Sequence, residues 1–305
     1  MKITLNNGVE IPILGLGTFK MPEGKVVIQS VRKALELGYR HIDTAAYYKN
    51  ENGVGEGIRQ SGIPRSEIFL TSKVWTSDYG YDNTLKAYDT SLQRLGVDYL
   101  DLYLIHWYNA KVKDTWRAIE KLYSEKRVRA IGVSNFHIHH LETLFVGCEI
   151  KPMINQIEFH PRLLQTPLFE FCKQQQIQYE AYSPLMQGKI FNIPLLAEMA
   201  ERYKRTIAQI ILRWNIQMGV VTIPKSTRPE RILENMQIFD FEISKEDMRA
   251  ICSLDNNERI GYNPDREQNW QKMPAHNWRF SVSGRKRREN VVTIRKCRPN
   301  VKFGI

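Results

Sequence analysis

The chain has 305 residues, 42% hydrophobic and 25% charged, with 44 basic against 33 acidic side chains for a net charge of +11. That length holds one large α/β domain or two ordinary ones, and the composition excludes a chain that is disordered throughout. No stretch reaches the roughly 20 apolar residues that cross a bilayer; residues 1–5 lack the apolar run of a secretory leader, and Cys148, Cys172, Cys252 and Cys297 lie far apart with no CxxC pair, as expected of a cytoplasmic protein with neither a disulfide framework nor a zinc site.

In chain order, residues 3–11 place Asn7-Gly8 between two short apolar segments, which predicts a β-hairpin. Apolar runs rich in branched residues then recur at 13–16, 41–44, 68–74, 100–105, 128–133, 153–157, 177–182 and 220–223, eight predicted strands. Helical periodicity lies between them. Residues 25–37 bring Val27, Val31, Ala34 and Leu35 onto one face, 114–123 align Trp116, Ile119, Glu120 and Tyr123, and 207–214 are apolar enough to predict a buried helix. Strands alternating with helices imply parallel pairing, and eight such units fit a closed (β/α)8 TIM barrel of about 250 residues. The rival is an open doubly wound sheet with a glycine-rich phosphate turn. Gly15-Leu16-Gly17-Thr18 lacks a third glycine and opens no helix, and Gly53-Val54-Gly55-Glu56-Gly57 has the wrong spacing and follows no strand. Residues 244–254 predict an appended helix capped by Ser244, with Asp247 three positions on.

Past Asp265 the pattern stops. Residues 266–305 hold eleven basic side chains, including Arg285-Lys286-Arg287-Arg288, against Glu267 and Glu289, which leaves residues 1–265 at +2. The division read from this is a barrel over 1–265 and a basic, mobile extension over 266–305. A nearly neutral barrel is not expected to bind nucleic acid or a membrane.

Chemistry on such a barrel sits at the C-terminal strand ends. There the second run ends at Asp43, the third near Lys73 and the fourth at His106; the later ones deliver Ser134 and Asn135, Gln156, Tyr182 and Ser183, and Lys225 and Ser226. Polar groups that interrupt apolar runs and converge on one mouth predict an active site. Tyr48 follows Asp43 by five residues. A phenol of pKa ~10 is a weak acid at neutral pH. An ammonium such as Lys73 beside it is expected to lower that pKa, with Asp43 keeping the ammonium charged and oriented. A neutral His106 can hydrogen-bond a carbonyl oxygen, and a tuned proton donor beside a polarised carbonyl is what hydride reduction requires.

Asp43-Thr44-Ala45-Ala46-Tyr47-Tyr48, Thr71-Ser72-Lys73-Val74-Trp75, Leu104-Ile105-His106-Trp107, Ile131-Gly132-Val133-Ser134-Asn135-Phe136 and Ile223-Pro224-Lys225-Ser226 together resemble the motifs of the aldo-keto reductases, in order and at family spacing, from residue 3 to about 265. Tyr47-Tyr48-Lys49-Asn50-Glu51, Asn155-Gln156-Ile157-Glu158-Phe159-His160-Pro161-Arg162 and Ser183-Pro184-Leu185-Met186-Gln187-Gly188 are similar to the bacterial glyoxal/methylglyoxal reductase and 2,5-diketo-gluconate reductase branch. The resemblance implies an NADPH-dependent oxidoreductase reducing small aldehydes, ketones and α-dicarbonyls, and a monomer. It makes Tyr48 the general acid, Asp43 and Lys73 its tuning partners and His106 the orienter of the carbonyl. It also implies that Tyr182 stacks on the nicotinamide, that Ser134, Asn135 and Gln156 hold its carboxamide, and that Ser183, Leu185 and Gly188 touch the cofactor. Lys225, Ser226, Arg228 and Arg231 would face the 2′-phosphate, where clustered cations and a hydroxyl suit a dianion. Glu234 and Asn235 would face the adenine, and Phe19, Trp75 and Trp107 would wall the substrate pocket with His106. Two features depart from the family. Tyr108 stands where proline is usual, before a short loop over 109–113, and the basic extension has no counterpart.

Other classes compete. A non-catalytic nicotinamide-sensing barrel need not keep a tuned acid, and nucleic-acid association through the extension would be salt-dependent. Taken singly, Asp43 reads as a cap or ion-pair partner, Tyr182 as a core aromatic, and Arg228 and Arg231 as solvated charge. His137, His139 and His140 open a helix without a fourth ligand at metal spacing, so no metal is expected.

Overall fold

The Asn7-Gly8 turn joins β1 (Lys2–Thr4) to β2 (Glu10–Pro12) in antiparallel register, Ile3 opposite Ile11, with Gly8 at φ 82°. This computed structural model describes residues 1–266, so all but the first residue of the predicted basic extension lies outside the described residues. The Asn6 amide donates to the Gln176 carbonyl at 3.2 Å and the Asn7 amide to that of Arg129 at 3.0 Å. Both carbonyls lie at the N-terminal ends of barrel strands, so the hairpin covers the barrel floor.

The eight predicted strands form one parallel sheet in sequence order: β3 (Leu16–Gly17), β4 (His41–Asp43), β5 (Phe69–Val74), β6 (Leu100–Ile105), β7 (Val128–Ser134), β8 (Ile154–Glu158), β9 (Gln178–Tyr182) and β10 (Val221–Thr222). A parallel bridge between Leu14 and Thr222 closes it, with Gly15 N–H on the Thr222 carbonyl at 2.9 Å and Gly17 N–H on that of Pro224 at 3.1 Å. The first and last strands are shorter than predicted because they meet only along this seam. A Cβ on Gly17 would stand 2.7 Å from the Ile223 carbonyl oxygen, so the seam admits only glycine there.

Among the described residues ten α-helices accompany the strands: α1 (Lys25–Glu36), α2 (Glu51–Ser61), α3 (Tyr81–Leu95), α4 (Val112–Ser124), α5 (Ile138–Phe145), α6 (Thr166–Gln174), α7 (Pro194–Tyr203), α8 (Ile207–Gln217), α9 (Pro229–Met236) and α10 (Lys245–Cys252). The periodic segments at 25–37, 114–123 and 207–214 are α1, α4 and α8. The last is opened by a reciprocal cap between Thr206 and Gln209 and buries Ile210, Ile211 and Trp214 completely. Ser244 caps α10 as predicted, accepting the Asp247 N–H at 3.1 Å. The Gly53, Gly55 and Gly57 row belongs to α2. A Cβ on Gly55 would overlap the Leu95 carbonyl at the end of α3, and one on Gly57 would stand 2.8 Å from the Ile28 carbonyl of α1. These glycines therefore serve close helix packing. Among the described residues no helix is long and apolar enough to cross a membrane, and Cys148, Cys172 and Cys252 are unpaired thiols.

Candidate active site

Asp43 ends β4 and Lys73 is the penultimate residue of the adjacent β5, so sheet pairing alone brings them together. Lys73 Nζ lies 2.7 and 2.8 Å from the two Asp43 carboxylate oxygens, 2.8 Å from the Thr44 carbonyl and 3.4 Å from Tyr48 Oη. Lys73 has no exposed surface and Asp43 is 2% exposed. Tyr48 closes a 3-10 turn, Ala46–Tyr48, that folds back over the strand ends. The turn is tied down by Asn50, whose amide donates to the Thr18 and Met21 carbonyls at 3.0 and 3.1 Å while its oxygen accepts the Thr44 hydroxyl at 2.9 Å.

The acidity of Tyr48 departs from expectation. Burial, then the negative charge of Asp43 and of Glu180, hold the phenol well above its ordinary range. Lys73 does not reverse this, because its charge is paired bidentately with Asp43. Tyr48 is therefore a phenol that keeps its proton, not one primed to lose it. His106, just past β6, is pushed well below the ordinary imidazole range by burial and by Lys73, so it is neutral. Its Nδ1 is buried without a hydrogen-bond partner among the described residues. The His106 ring lies edge-on to Tyr48 at 5.7 Å and to Trp75 at 5.1 Å, and Trp75 stacks on Tyr47 at 3.9 Å. Phe19 packs against Tyr48 at 5.0 Å from the opposite side of the mouth. Trp107 is buried, its backbone clamped by the Tyr79 hydroxyl. Tyr108 turns its ring onto α5, stacking on His140 at 4.1 Å.

On the other side of the mouth, Asn135 has a left-handed backbone, φ 62°. Its amide donates to the His106 carbonyl at 3.0 Å and to Ser134 Oγ at 3.1 Å, and its oxygen accepts the Tyr182 hydroxyl at 2.7 Å. Gln156 Nε2 donates to Asp43 Oδ2 at 2.8 Å and to Glu180 Oε2 at 2.9 Å. Asp43, Lys73, Tyr48, His106, Ser134, Asn135, Gln156 and Tyr182 thus form one connected group.

A profile of the aldo/keto reductase family matches residues 13–256. The chain belongs to that family. It is 58% identical over 264 residues to a glyoxal reductase of Bacillus subtilis, covering 86% of this chain and 96% of the relative. An aldo-keto reductase from a Medee basin deep-sea metagenome library matches with a TM-score of 0.84 and 47% identity, covering 87% of this chain and 98% of that one. A Bombyx mori aldo-keto reductase solved in complex with NADP matches with a TM-score of 0.82 and 35% identity over 88% of this chain and 96% of that one.

In this aldo/keto reductase the remaining predicted residues lie in the loops after β9 and β10 and on α9. After β9, Ser183, Met186 and Gln187 take left-handed φ of 50°, 50° and 52° and Gly188 one of 103°, a tight loop that also holds Leu185. Lys20 Nζ reaches across from the loop after β3 to Gln187 Oε1 at 2.9 Å. Ser226 Oγ accepts the Arg228 N–H at 3.2 Å where Arg228 caps α9. Among the described residues no ion pair is recorded for Lys225, Arg228 or Arg231, and burial, then the charge of Lys20, holds the Lys225 ammonium below its ordinary range. Glu234 accepts the Thr206 hydroxyl at 2.8 Å and Asn235 is buried beside it.

Sequence reasoning missed three contributors. Tyr47 supplies the ring beneath Trp75. Glu180 is a second buried carboxyl beside Asp43. Glu158, the last residue of β8, anchors the segment after α10 across the mouth, accepting Ile260 N–H at 2.5 Å and Gly261 N–H at 2.8 Å, with His160 Nε2 at 3.0 Å. Farther along this strap, His137 Nδ1, His139 Nε2 and His140 Nε2 converge on Asp265 Oδ1 at 2.8, 3.3 and 3.7 Å. His140 Nδ1 accepts the His137 backbone N–H, so its Nε2 carries the ring proton and turns a donor towards Asp265.

Proposed function

We propose that this aldo/keto reductase is an NADPH-dependent reductase of small aldehydes, ketones and α-dicarbonyls of the glyoxal and methylglyoxal kind, with Tyr48 as general acid. One observation carries the reading: Tyr48 Oη stands 3.4 Å from a lysine paired with Asp43, its ring edge-on to that of His106. The glyoxal reductase from Bacillus and the NADP complex from Bombyx support the substrate class and the cofactor.

The segment from Lys225 into α9 suits the dinucleotide. Lys225, Arg228 and Arg231, with no ion pair recorded among the described residues, and the Ser226 hydroxyl lie around the N-terminal end of α9, where a phosphate dianion is favoured. Gln156 spends its amide N–H groups on two carboxyls, which leaves its oxygen for the carboxamide; Ser134, Asn135 and Tyr182 complete the nicotinamide end, and Ser183, Leu185 and Gly188 the wall above it. Glu234 and Asn235 take the adenine end. When bound, NADPH supplies the hydride. His106 Nε2–H orients the carbonyl oxygen. Tyr48 hands its proton to that oxygen as negative charge develops there, and Lys73 stabilises the phenolate left behind, held in place by Asp43. Trp75 over Tyr47, with Phe19 opposite and Trp107 behind, shapes a small dry pocket. We read residues 1–265 as the whole catalytic unit and the protein as a monomer: its exposed large apolar side chains, such as Val146, Phe191 and Phe239, are scattered along the described chain.

The test follows loss of NADPH absorbance with glyoxal, methylglyoxal, a bulky aromatic aldehyde and an aldose, repeated with NADH. Turnover of the small dicarbonyls with NADPH is the expected result. Tyr48→Phe should lower kcat by about 10²–10⁴-fold with NADPH still bound; turnover retained in that variant overturns the mechanism. Arg228→Ala or Arg231→Ala should weaken NADPH by about 10–100-fold per charged hydrogen bond lost and leave NADH unchanged. Binding of NADPH with no turnover of any carbonyl would instead favour the non-catalytic sensing barrel.

A further inference from the structure

The proposed chemistry uses Asp43 and Lys73 but not the second carboxyl beside them. Glu180 lies in the middle of β9 with no exposed surface. One Gln156 amide nitrogen donates to both carboxyls, at 2.9 Å to Glu180 Oε2 and 2.8 Å to Asp43 Oδ2. Glu180 is faced by His41 and Asp43 of β4, Lys73 of β5, Gln156 of β8 and Tyr48 of the turn after β4. His41 Nε2 is 3.7 Å from Glu180 Oε1, but burial pushes this imidazole down to about 3, so it carries no charge. Among these groups Lys73 is then the one cation against two carboxyls, and its ammonium is bonded to Asp43. A sealed interior does not tolerate the excess negative charge, so one carboxyl keeps a proton. That carboxyl is Glu180, which no cation touches and whose Oε1 has no hydrogen-bond partner among the described residues. Its acidity agrees: burial and then the charge of Asp43 push it up to about 8.

We infer that Glu180 is a positioning residue that keeps its proton beneath Gln156 and gauges the charge of the nicotinamide ring placed there. The inference rests on the reading of Gln156 as a nicotinamide contact. The oxidised ring carries a positive charge and the reduced ring none. Binding of the oxidised cofactor favours loss of the Glu180 proton to solvent, leaving a carboxylate against a cation; binding of the reduced cofactor leaves the proton in place. At neutral pH the proton must first be given up, so the hold of the carboxylate on the oxidised ring is weakened, which favours its exchange for NADPH. At alkaline pH the hold strengthens and the oxidised form is retained.

The experiment measures protons. NADP+ and NADPH are each titrated into the full-length protein by calorimetry in two buffers of different ionisation heat. The 2′-phosphate contributes equally to both titrations, so their difference isolates the ring. Wild type is expected to release more protons with NADP+ than with NADPH. Its NADP+/NADPH affinity ratio should rise by up to tenfold per pH unit through neutrality and level off above about pH 8. Glu180→Gln, which preserves shape and the acceptor for Gln156, should release equal numbers and show a flat ratio. Independently of that variant, the infrared spectrum of wild type should carry a protonated-carboxyl C=O band at neutral pH that disappears above about pH 8. Absence of that band, or equal proton release with both cofactors bound, overturns the inference and leaves the reductase reading standing. Failure of both cofactors to bind overturns the reductase reading and this inference with it.

Discussion

Replacing Asp43 by asparagine removes the carboxylate both from the Lys73 ion pair and from the Gln156 amide that donates to it at 2.8 Å. In wild type the Lys73 ammonium has no exposure and four oxygen neighbours, two from Asp43 at 2.7 and 2.8 Å, the Thr44 carbonyl at 2.8 Å and Tyr48 Oη at 3.4 Å. The amide of the Asp43→Asn variant would keep one oxygen, turn an N–H₂ towards the ammonium at the other position and bring no negative charge. Breaking a buried pair from one side costs about 3–5 kcal/mol, and at about 2–4 °C per kcal/mol for a domain of this size the melting temperature should fall by roughly 6–20 °C. Thermal unfolding followed by circular dichroism measures this directly. Adding Lys73→Met should restore most of the loss, because the uncompensated charge is then gone and an apolar chain of similar length fills the space. Neither protein should turn over carbonyl substrates. A fall of less than about 2 °C in the single variant would refute the reasoning, since it lies below the effect of even 1 kcal/mol. So would a double variant no more stable than the single one.

Two other perturbations probe the frame around the site. Burial alone would raise the pKa of Glu158, but His160 and the N–H groups of Ile260 and Gly261 outweigh it and hold the carboxyl below its ordinary range. Its stabilising effect is therefore complete above the ordinary Glu value of ~4.3 and is lost as pH falls through the lowered folded value; hydrogen exchange at Gly261 should accelerate in that acid window, and in Glu158→Gln already at neutral pH, whereas unchanged exchange in the variant would show that the strap is held elsewhere. Gly55→Ala gains about 1 kcal/mol of helix propensity but drives a methyl group into the Leu95 carbonyl at a cost of about 1–3 kcal/mol, so a net loss of up to about 2 kcal/mol is expected, read as a lowered urea midpoint; a stabilised protein would mean that α2 is free to move away from α3.

The residues that were legible share one property: each is a polar interruption at the end of an apolar run. Asp43, Lys73, His106 and Asn135 could be placed at one mouth because a parallel barrel puts every strand end there, and period and composition sufficed for the barrel. Glu180 was not legible, because a charged residue in the middle of Gln178–Tyr182 reads as the solvent-facing position of an alternating strand, and only closure of the barrel turns it inward. The glycines of α2 were set aside as a failed phosphate loop; their meaning lies in the Leu95 and Ile28 carbonyls, which no local pattern contains. Asp265, 128 positions from His137, is the acidic partner of the three histidines that spacing could not supply. The direction of the Tyr48 shift was misjudged for a similar reason. Lysine beside tyrosine predicts a lowered pKa, but burial opposes it, the lysine is already neutralised by Asp43 and a further carboxyl stands behind it.

The seam between β3 and β10 bears on how the chain is made. Across it, Thr222 donates its N–H to the Ile13 carbonyl and accepts the Gly15 N–H, and the Pro224 carbonyl accepts the Gly17 N–H. On a ribosome, therefore, no chain shorter than 224 residues can complete this cylinder, and until then one flank of β3 presents unbonded amides to whatever strand is near. The two-residue lengths of β3 and β10 keep that adhesive flank short during the wait.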